Sequence, residues 1–214
     1  MKIHEVKQFA TTVFIVEQND KLFIIDAGMH GREKEIFAKI EEIGKELEEV
    51  SFIAITHAHS DHTGGLKTLA QMTQAKIICQ KNESEFIKSG INANIKSKNR
   101  LVSLLVDFGT NRFPSVEPDI VFESKYDLGH FGIDGYMIHT PGHTHGSASI
   151  ILQDKIAIIG DVAMKVLGLR LTPITHNQKI LEKSLKTLLA LDLEEYYITH
   201  GGKIEKSKLE SLLD

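Results

Sequence analysis

His57-Ala58-His59-Ser60-Asp61-His62-Thr63-Gly64-Gly65 is the stretch on which the reading of this chain turns. Its three imidazoles and one carboxylate are the donors that a borderline divalent cation such as zinc prefers. Upstream, Ser-Phe-Ile-Ala-Ile-Thr (Ser51–Thr56) is apolar and β-branched, which predicts a buried strand. Downstream, Thr63 is placed to cap a helix that starts around Gly64 and Gly65. The donors are therefore expected on a turn just past the carboxyl end of a strand, where α/β folds hold their ligands.

The arrangement recurs along the chain. Tyr136–Thr140 leads into Pro141-Gly142-His143, Ile156–Ile159 into Gly160-Asp161, and Tyr196–Thr199 into His200. Earlier, Leu22–Ile25 ends in Asp26-Ala27-Gly28. Glycine at such turns lets the backbone approach closely and removes bulk beside an ion. Independent loop residues have no reason to gather at the same end of successive strands. The expectation is one metal site assembled from distant segments.

Between these turns the apolar pattern predicts the remaining elements. Val13–Val16 and Leu22–Ile25, joined through Asn19-Asp20, read as a hairpin. Ile36, Phe37, Ile40, Ile43, Leu47 and Val50 stand at helical spacing, with a charged, solvated face running from Arg32 to Glu49. A strand at Lys76–Cys79 precedes a polar helix from about Asn82 to Lys88. Strands are also expected at Ile120–Phe122 and Ala148–Leu152. A helix capped by Asn177 should run from about Gln178 to Leu191, and a short amphipathic helix should close the chain. Residues 90–118 are the least regular part, with Leu101, Leu104, Leu105 and Phe108 in a helical pattern among Lys96, Lys98, Arg100 and Arg112. They are expected either to shape a pocket or to pack as an excursion between two halves. No low-complexity linker divides residues 1–214, so the chain reads as a single domain.

Composition narrows the function classes. The 214 residues are 42% hydrophobic and 25% charged, enough for a substantial core. A net charge of −4 argues against a protein built to grip nucleic-acid phosphates. No apolar run is long enough for a membrane span. The opening Met-Lys-Ile-His-Glu-Val-Lys has no secretory apolar core, which predicts a cytoplasmic address. Cys79 is the single cysteine, in an apolar strand-like run, and reads as an inert core thiol. There is no Gly-x-Ser-x-Gly elbow and no phosphate-cradling loop. A small-molecule substrate is the expected partner.

Taken in order, His57-x-His59-x-Asp61-His62, Pro141-Gly142-His143-Thr144, Gly160-Asp161 and His200-Gly201 resemble the metal-binding motifs of the metallo-β-lactamase superfamily, and Asp26-Ala27-Gly28 resembles its first motif. The resemblance implies an α/β fold: an αββα four-layer sandwich of two mixed β-sheets flanked by helices, with a two-metal site at one edge. It places His57, His59 and His143 on metal 1 and Asp61, His62 and His200 on metal 2, with Asp161 bridging. Asp26 would orient a ligand imidazole through a hydrogen bond. His143 fits the family pattern and His145 does not. His30 and His176 read as ordinary loop histidines near the cleft. None of Tyr126, Tyr136, Tyr196 and Tyr197 is singled out as an oxyanion donor. The best-known β-lactamases carry cysteine where Asp161 stands, so this set is more similar to the glyoxalase II, lactonase and general hydrolase branches. Two divalent cations are implied, zinc first, with iron or manganese compatible with the harder donors.

Two cations about 3.5–4 Å apart can share a water and lower its pKa to roughly neutral. The resemblance thus implies hydrolysis of a small ester-like bond, thioester or lactone before amide, by a metal-bridging hydroxide, with Asp61 able to deliver a proton. Two alternatives stay open. One is a mononuclear-iron persulfide dioxygenase, similar at His57, His143 and Asp161. The other is a phosphodiesterase or ribonuclease, for which only Lys96–Arg100 offers a basic track.

Overall fold

The computed structural model describes residues 1–9, 11–93, 112–166 and 168–213. The first sheet holds β1 (Lys2–Gln8), β2 (Thr11–Gln18), β3 (Lys21–Ile25), β4 (Val50–Ala54), β5 (Lys76–Gln80) and β6 (Ile120–Phe122), neighbours in that order. The first three strands form an antiparallel meander, and β3 to β6 run parallel. The second half contributes β7 (Lys125–Asp127), β8 (Gly135–His139), β9 (Ala148–Leu152), β10 (Ile156–Ile158), β13 (Glu195–Ile198) and β14 (Gly202–Ile204). They form a second sheet in the order β14-β13-β10-β9-β8-β7, while β11 (Ala163–Lys165) and β12 (Leu169–Leu171) pair as a separate ribbon. The described helices are α1 (Glu33–Glu42), α2 (Ser60–Thr63), α3 (Leu66–Thr73), α4 (Lys81–Ser89), α5 (Gln178–Leu189) and α6 (Lys206–Glu210), with short 3-10 turns at Leu47–Glu49, Leu128–Phe131 and Gly160–Val162.

Strand alternation explains the layering. Phe14, Val16, Phe23, Ile25, Phe52 and Ala54 face Met137, Ile150, Leu152, Ile158 and Tyr197 between the two sheets. Their neighbours Val13, Ile15, Leu22, Ile24 and Ile53 point the other way, onto Ile36, Ile40, Leu66 and Leu69 of α1 and α3. On the far side Ile151, Ala157, Tyr196 and Ile198 pack against Leu181, Leu185 and Leu188 of α5. Strands covered on both faces read as unbroken apolar runs, which is why they stood out in the sequence. Phe52 is stacked on Phe23 and tilted against Phe131, with ring centroids 4.7 Å away on each side. Each fully buried aromatic of this kind stabilises the sandwich by about 1.5–3 kcal/mol. The result is the αββα arrangement of two mixed sheets flanked by helices.

Several local expectations need correction. The helix expected to carry Leu47 and Val50 stops at Glu42, and Val50 is the first residue of β4. Gly44 lies in the left-handed region at φ +74°, which breaks the spiral while the apolar spacing continues. Thr63 caps nothing. Its hydroxyl donates to the His59 carbonyl at 2.8 Å, because the chain is already helical from Ser60. The segment Lys2–Gln8 is an edge strand paired along its length with β2, although its apolar residues, Ile3 and Val6, stand three apart and do not show the period of two that marks a strand. Of residues 90–118 only 90–93 and 112–118 are described, so the expectation that this stretch shapes a pocket or packs as an excursion falls on Lys96, Lys98, Arg100, Leu101, Leu104, Leu105 and Phe108, which lie outside the described residues. Among the described residues, no helix is long and apolar enough to cross a membrane.

Topology brings the donor-bearing turns together. In the second sheet β8 and β10 both run antiparallel to β9, and β13 runs parallel to β10. The carboxyl ends of β8, β10 and β13 therefore emerge at one edge. In the first sheet the parallel β3 and β4 deliver Asp26 and His57 at their own carboxyl ends. The two edges are tied by a hydrogen bond from Ala148 N to Thr56 O, 2.8 Å.

Candidate metal centre

Every donor marked in the sequence reaches this edge. His57, His59 and His143 form one group, His57, His62 and Asp161 a second, and Asp61, His62 and His200 a third. Within each group the facing nitrogen and oxygen atoms lie within 4.8 Å of one another.

In the first group His143 Nε2 lies 3.1 Å from His57 Nε2 and 3.0 Å from His59 Nδ1. The other nitrogen of each ring is engaged from behind. His143 Nδ1 donates to the Ile174 carbonyl at 2.6 Å, and His59 Nε2 to the Ala93 carbonyl at 3.2 Å. A carbonyl only accepts, so those nitrogens carry the protons. His57 Nδ1 sits 3.0 Å from Thr56 Oγ1, whose own proton goes to Asp26 at 2.8 Å, so His57 donates here as well. Three bare lone pairs then face one another with no proton between them. That arrangement is repulsive until a cation sits among them. The donors of a tetrahedral zinc, with bonds of about 2.0–2.1 Å, lie roughly 3.3 Å apart, close to the spacing here. Burial, reinforced by His62, His143 and His59, holds His57 well below the ordinary histidine pKa. Burial, then His143, takes His59 down to about 3, and burial lowers His143 too. The neutral imidazole that a metal needs is the form this environment favours.

The other end is built differently. His62 Nδ1 donates to Asp26 Oδ2 at 2.8 Å, while His62 Nε2 is buried without a hydrogen-bond partner among the described residues. It faces Asp61 Oδ2 at 3.5 Å and Asp161 Oδ1 at 3.6 Å. His200 Nε2 lies 3.1 Å from Asp161 Oδ2 and 3.4 Å from Asp61 Oδ2. Burial opposes charge on His62, but Asp61, Asp161 and Asp26 outweigh it and raise the imidazole well above its ordinary pKa. The same contest, with Asp161 the main carboxylate, carries His200 up to about 9. In return the two carboxyls are held low against burial: Asp161 by His200 and His62, Asp61 by His62 and His200. A buried nitrogen that makes no hydrogen bond, with two carboxylates and a second imidazole gathered around it, fits a divalent cation.

Asp161 belongs to both ends. Its Oδ2 also lies 3.5 Å from His143 Nε2 and 4.0 Å from His57 Nε2. Asp26 stands behind the cluster, fully buried in the left-handed region at φ +61°. It accepts from Thr56 N at 2.8 Å as well as from His62. Gly142 (φ +138°) brings the His143 turn onto α5, where a Cβ would meet Leu181 N at 2.4 Å. His145 is exposed and outside the cluster, its ring tilted by 38° against that of His176 with centroids 3.5 Å apart. His30 is exposed beside Glu33. Tyr196 and Tyr197 donate their hydroxyls to the Leu188 carbonyl and to Glu195, away from the cluster.

Three contributors escaped the sequence reading. Thr56 joins Asp26 to His57, and Thr199 donates its hydroxyl to Asp161 Oδ1. Each directly precedes a histidine of the cluster, a signal that was available. The third is Glu83, in α4. Fully buried, it accepts from Ala58 N at 2.7 Å, Thr144 Oγ1 at 2.8 Å and Gly146 N at 2.8 Å. Burial raises its carboxyl pKa against the pull of those donors. Nothing in its polar helix marked it.

Fold and cluster together define a class: an αββα sandwich with histidines and aspartates gathered at the edge of two sheets. The family model described as the metallo-beta-lactamase superfamily matches residues 6–200, and the chain belongs to that superfamily. Its fold is similar to that of a solved metallo-beta-lactamase from Cronobacter sakazakii, with TM-score 0.73 and 19% identity over 99% of this chain and 86% of that one. A probable metallo-hydrolase of Methanocaldococcus jannaschii is 28% identical over 66% of this chain and 62% of its own length. A hydroxyacylglutathione hydrolase of Shewanella loihica is 32% identical over 65% of this chain and 43% of its own. The chain spans 62% to 66% of the length of three curated relatives it matches.

Proposed function

We propose that this chain is a dinuclear metal-dependent hydrolase of small ester-like bonds, thioester or lactone, with zinc as its metal. His57, His59 and His143 would hold one cation and Asp61, His62 and His200 the other, with Asp161 between them. What such a bound pair supplies is a water acidified to near neutrality and polarisation of the bond to be cleaved. The chain's own residues do the rest. Asp26 holds the His62 ring from behind, and Thr199 pins one oxygen of Asp161. Asp61 has 33% of its side chain exposed, against 5% for Asp161 and none for His62, which places it to carry a proton between cleft and solvent. The carboxylates of Asp61 and Asp161 offset only part of the charge of two divalent cations. The surplus favours the oxyanion that develops when a carbonyl is attacked.

The observation that carries this reading is the convergence of three lone-pair nitrogens beside a complete second set of donors. That second set favours two metals over the single iron of a dioxygenase. The printed names of the relatives, a probable metallo-hydrolase and a hydroxyacylglutathione hydrolase, support hydrolysis and a thioester. The test is elemental analysis of the protein as purified, run beside a panel of thioester, lactone and phosphodiester substrates. Two zinc per chain with thioester or lactone turnover is expected. One iron per chain with oxygen uptake would sink the proposal, as would cleavage confined to phosphodiesters.

A further inference from the structure

Glu83 has no part in the chemistry above, yet it is a carboxylate buried within two residues' reach of the histidine cluster. Its three partners all donate, so it works as an acceptor alone. An unpaired buried carboxylate is costly, and an apolar side chain would fill the same space more cheaply. The partners show what Glu83 does instead. Oε2 takes the N–H of Ala58, the residue between His57 and His59. Oε1 takes the Thr144 hydroxyl and the Gly146 N–H, from the turn that begins with His143. One carboxylate therefore clasps two turns delivered by different sheets.

The second turn is shaped for this contact. A Cβ at Gly146 would lie 2.6 Å from Glu83 Oε1 and 2.6 Å from Gln80 Oε1, so only glycine lets the turn close onto α4. Thr144 N donates to Ser147 Oγ at 3.0 Å, and the Thr144 and Ser147 hydroxyls pair at 2.7 Å. The turn is thus tied internally and hung on Glu83 as a unit. His143 directly precedes that unit in the chain. None of Glu83's hydrogen bonds involves Asp61, His62 or His200.

We propose that Glu83 is a positioning residue that sets His143 against His57 and His59, and so tunes the affinity of that histidine trio for a cation while leaving the Asp61–His62–His200 set alone. The inference rests on the reading that these histidines hold metal. Its test is a zinc titration of the metal-stripped chain, with histidine rings labelled so that occupancy is read ring by ring in nitrogen–proton NMR spectra. In Glu83→Gln the amide must turn its NH2 toward Ala58 N–H or toward Gly146 N–H, donor against donor. Zinc saturation at His57, His59 and His143 should weaken by about 10–100-fold, with His62 and His200 within about twofold of wild type. Thr144→Val should weaken the same trio less, and Thr144→Ser, which keeps the hydroxyl, should restore it. That second pair carries the test if Glu83→Gln does not fold. An equal loss at both sets, or no loss at either, overturns the role of Glu83 and leaves the metal reading standing. A wild-type chain that takes up zinc at no histidine overturns the metal reading, and this inference with it.

Discussion

The two ends of the histidine cluster use the same side chain and hold it in opposite states. His57, His59 and His143 face one another, with ring protons turned away to Ile174, Ala93 and Thr56, and burial drives their pKa values down. His62 and His200 face Asp61 and Asp161, and those carboxylates drive theirs up despite burial. Residue type alone therefore does not set the protonation of a donor. The placement of two aspartates does. A cation entering the first end displaces no proton, whereas one entering the second must compete with protons already held there.

Asp161 is the residue that joins the ends, so its loss should have the largest effect. Asp161→Ala is expected to lower turnover by at least about a hundredfold, the scale of losing one electrostatic stabiliser in an active site. Steady-state kinetics on the substrate found by the panel, with metal content measured alongside, checks this. Near-normal turnover would remove Asp161 from the site. Next, His143→Ala should abolish uptake at the first end and preserve it at the second, leaving one metal per chain by elemental analysis. A variant that still holds two would dissolve the distinction between the ends.

Asp26→Asn sharpens the comparison from the other side. The amide cannot accept from His62, Thr56 N and the Thr56 hydroxyl as the carboxylate does, so affinity should fall about 10–100-fold at the second end and less at the first, which Asp26 reaches through Thr56. Equal loss at both ends in a zinc titration would count against it. pH tests the electrostatics directly in the metal-free protein. His57, His59 and His143 have lowered pKa values, so the unfolded chain binds protons that the folded one refuses. Their part of the stability is present above the ordinary histidine value of 6.5 and is lost as pH falls toward about 3, the value for His59. His62 and His200 are raised, so their part is fully present below 6.5 and is lost as pH rises through about 9, the value for His200. For His200 the loss is on the order of 3 kcal/mol, taking about 1.4 kcal/mol per unit. Denaturant melts should show stability highest near the middle of this range, and saturating zinc should remove the alkaline decline. A metal-free protein equally stable from 6.5 to 9 contradicts the assignment of His200. The smallest effect is expected at His145, whose replacement by alanine should leave metal content unchanged.

Legibility in the sequence followed how local each determinant is. The hairpin through Asn19 and Asp20 was readable because both residues adopt the left-handed conformation a tight turn requires, at φ +50° and +60°. The end of α1 was not, because the apolar spacing runs on past Gly44 into the next strand. Thr56 and Thr199 could have been suspected beside their histidines. Glu83 could not, because its partners Ala58, Thr144 and Gly146 come from turns remote in sequence.

The amino-acid order alone determined which side chains are gathered, since each donor follows an apolar run that must be a buried strand and must end at a turn. Only the tertiary structure decided how they face one another. Strand direction in the second sheet, alternating at β9 and restored at β10 and β13, puts three carboxyl ends on one edge, and nothing in a linear string records that order. The same placement decides the charge on each imidazole, because a pKa responds to distances across the fold and not to neighbours along the chain.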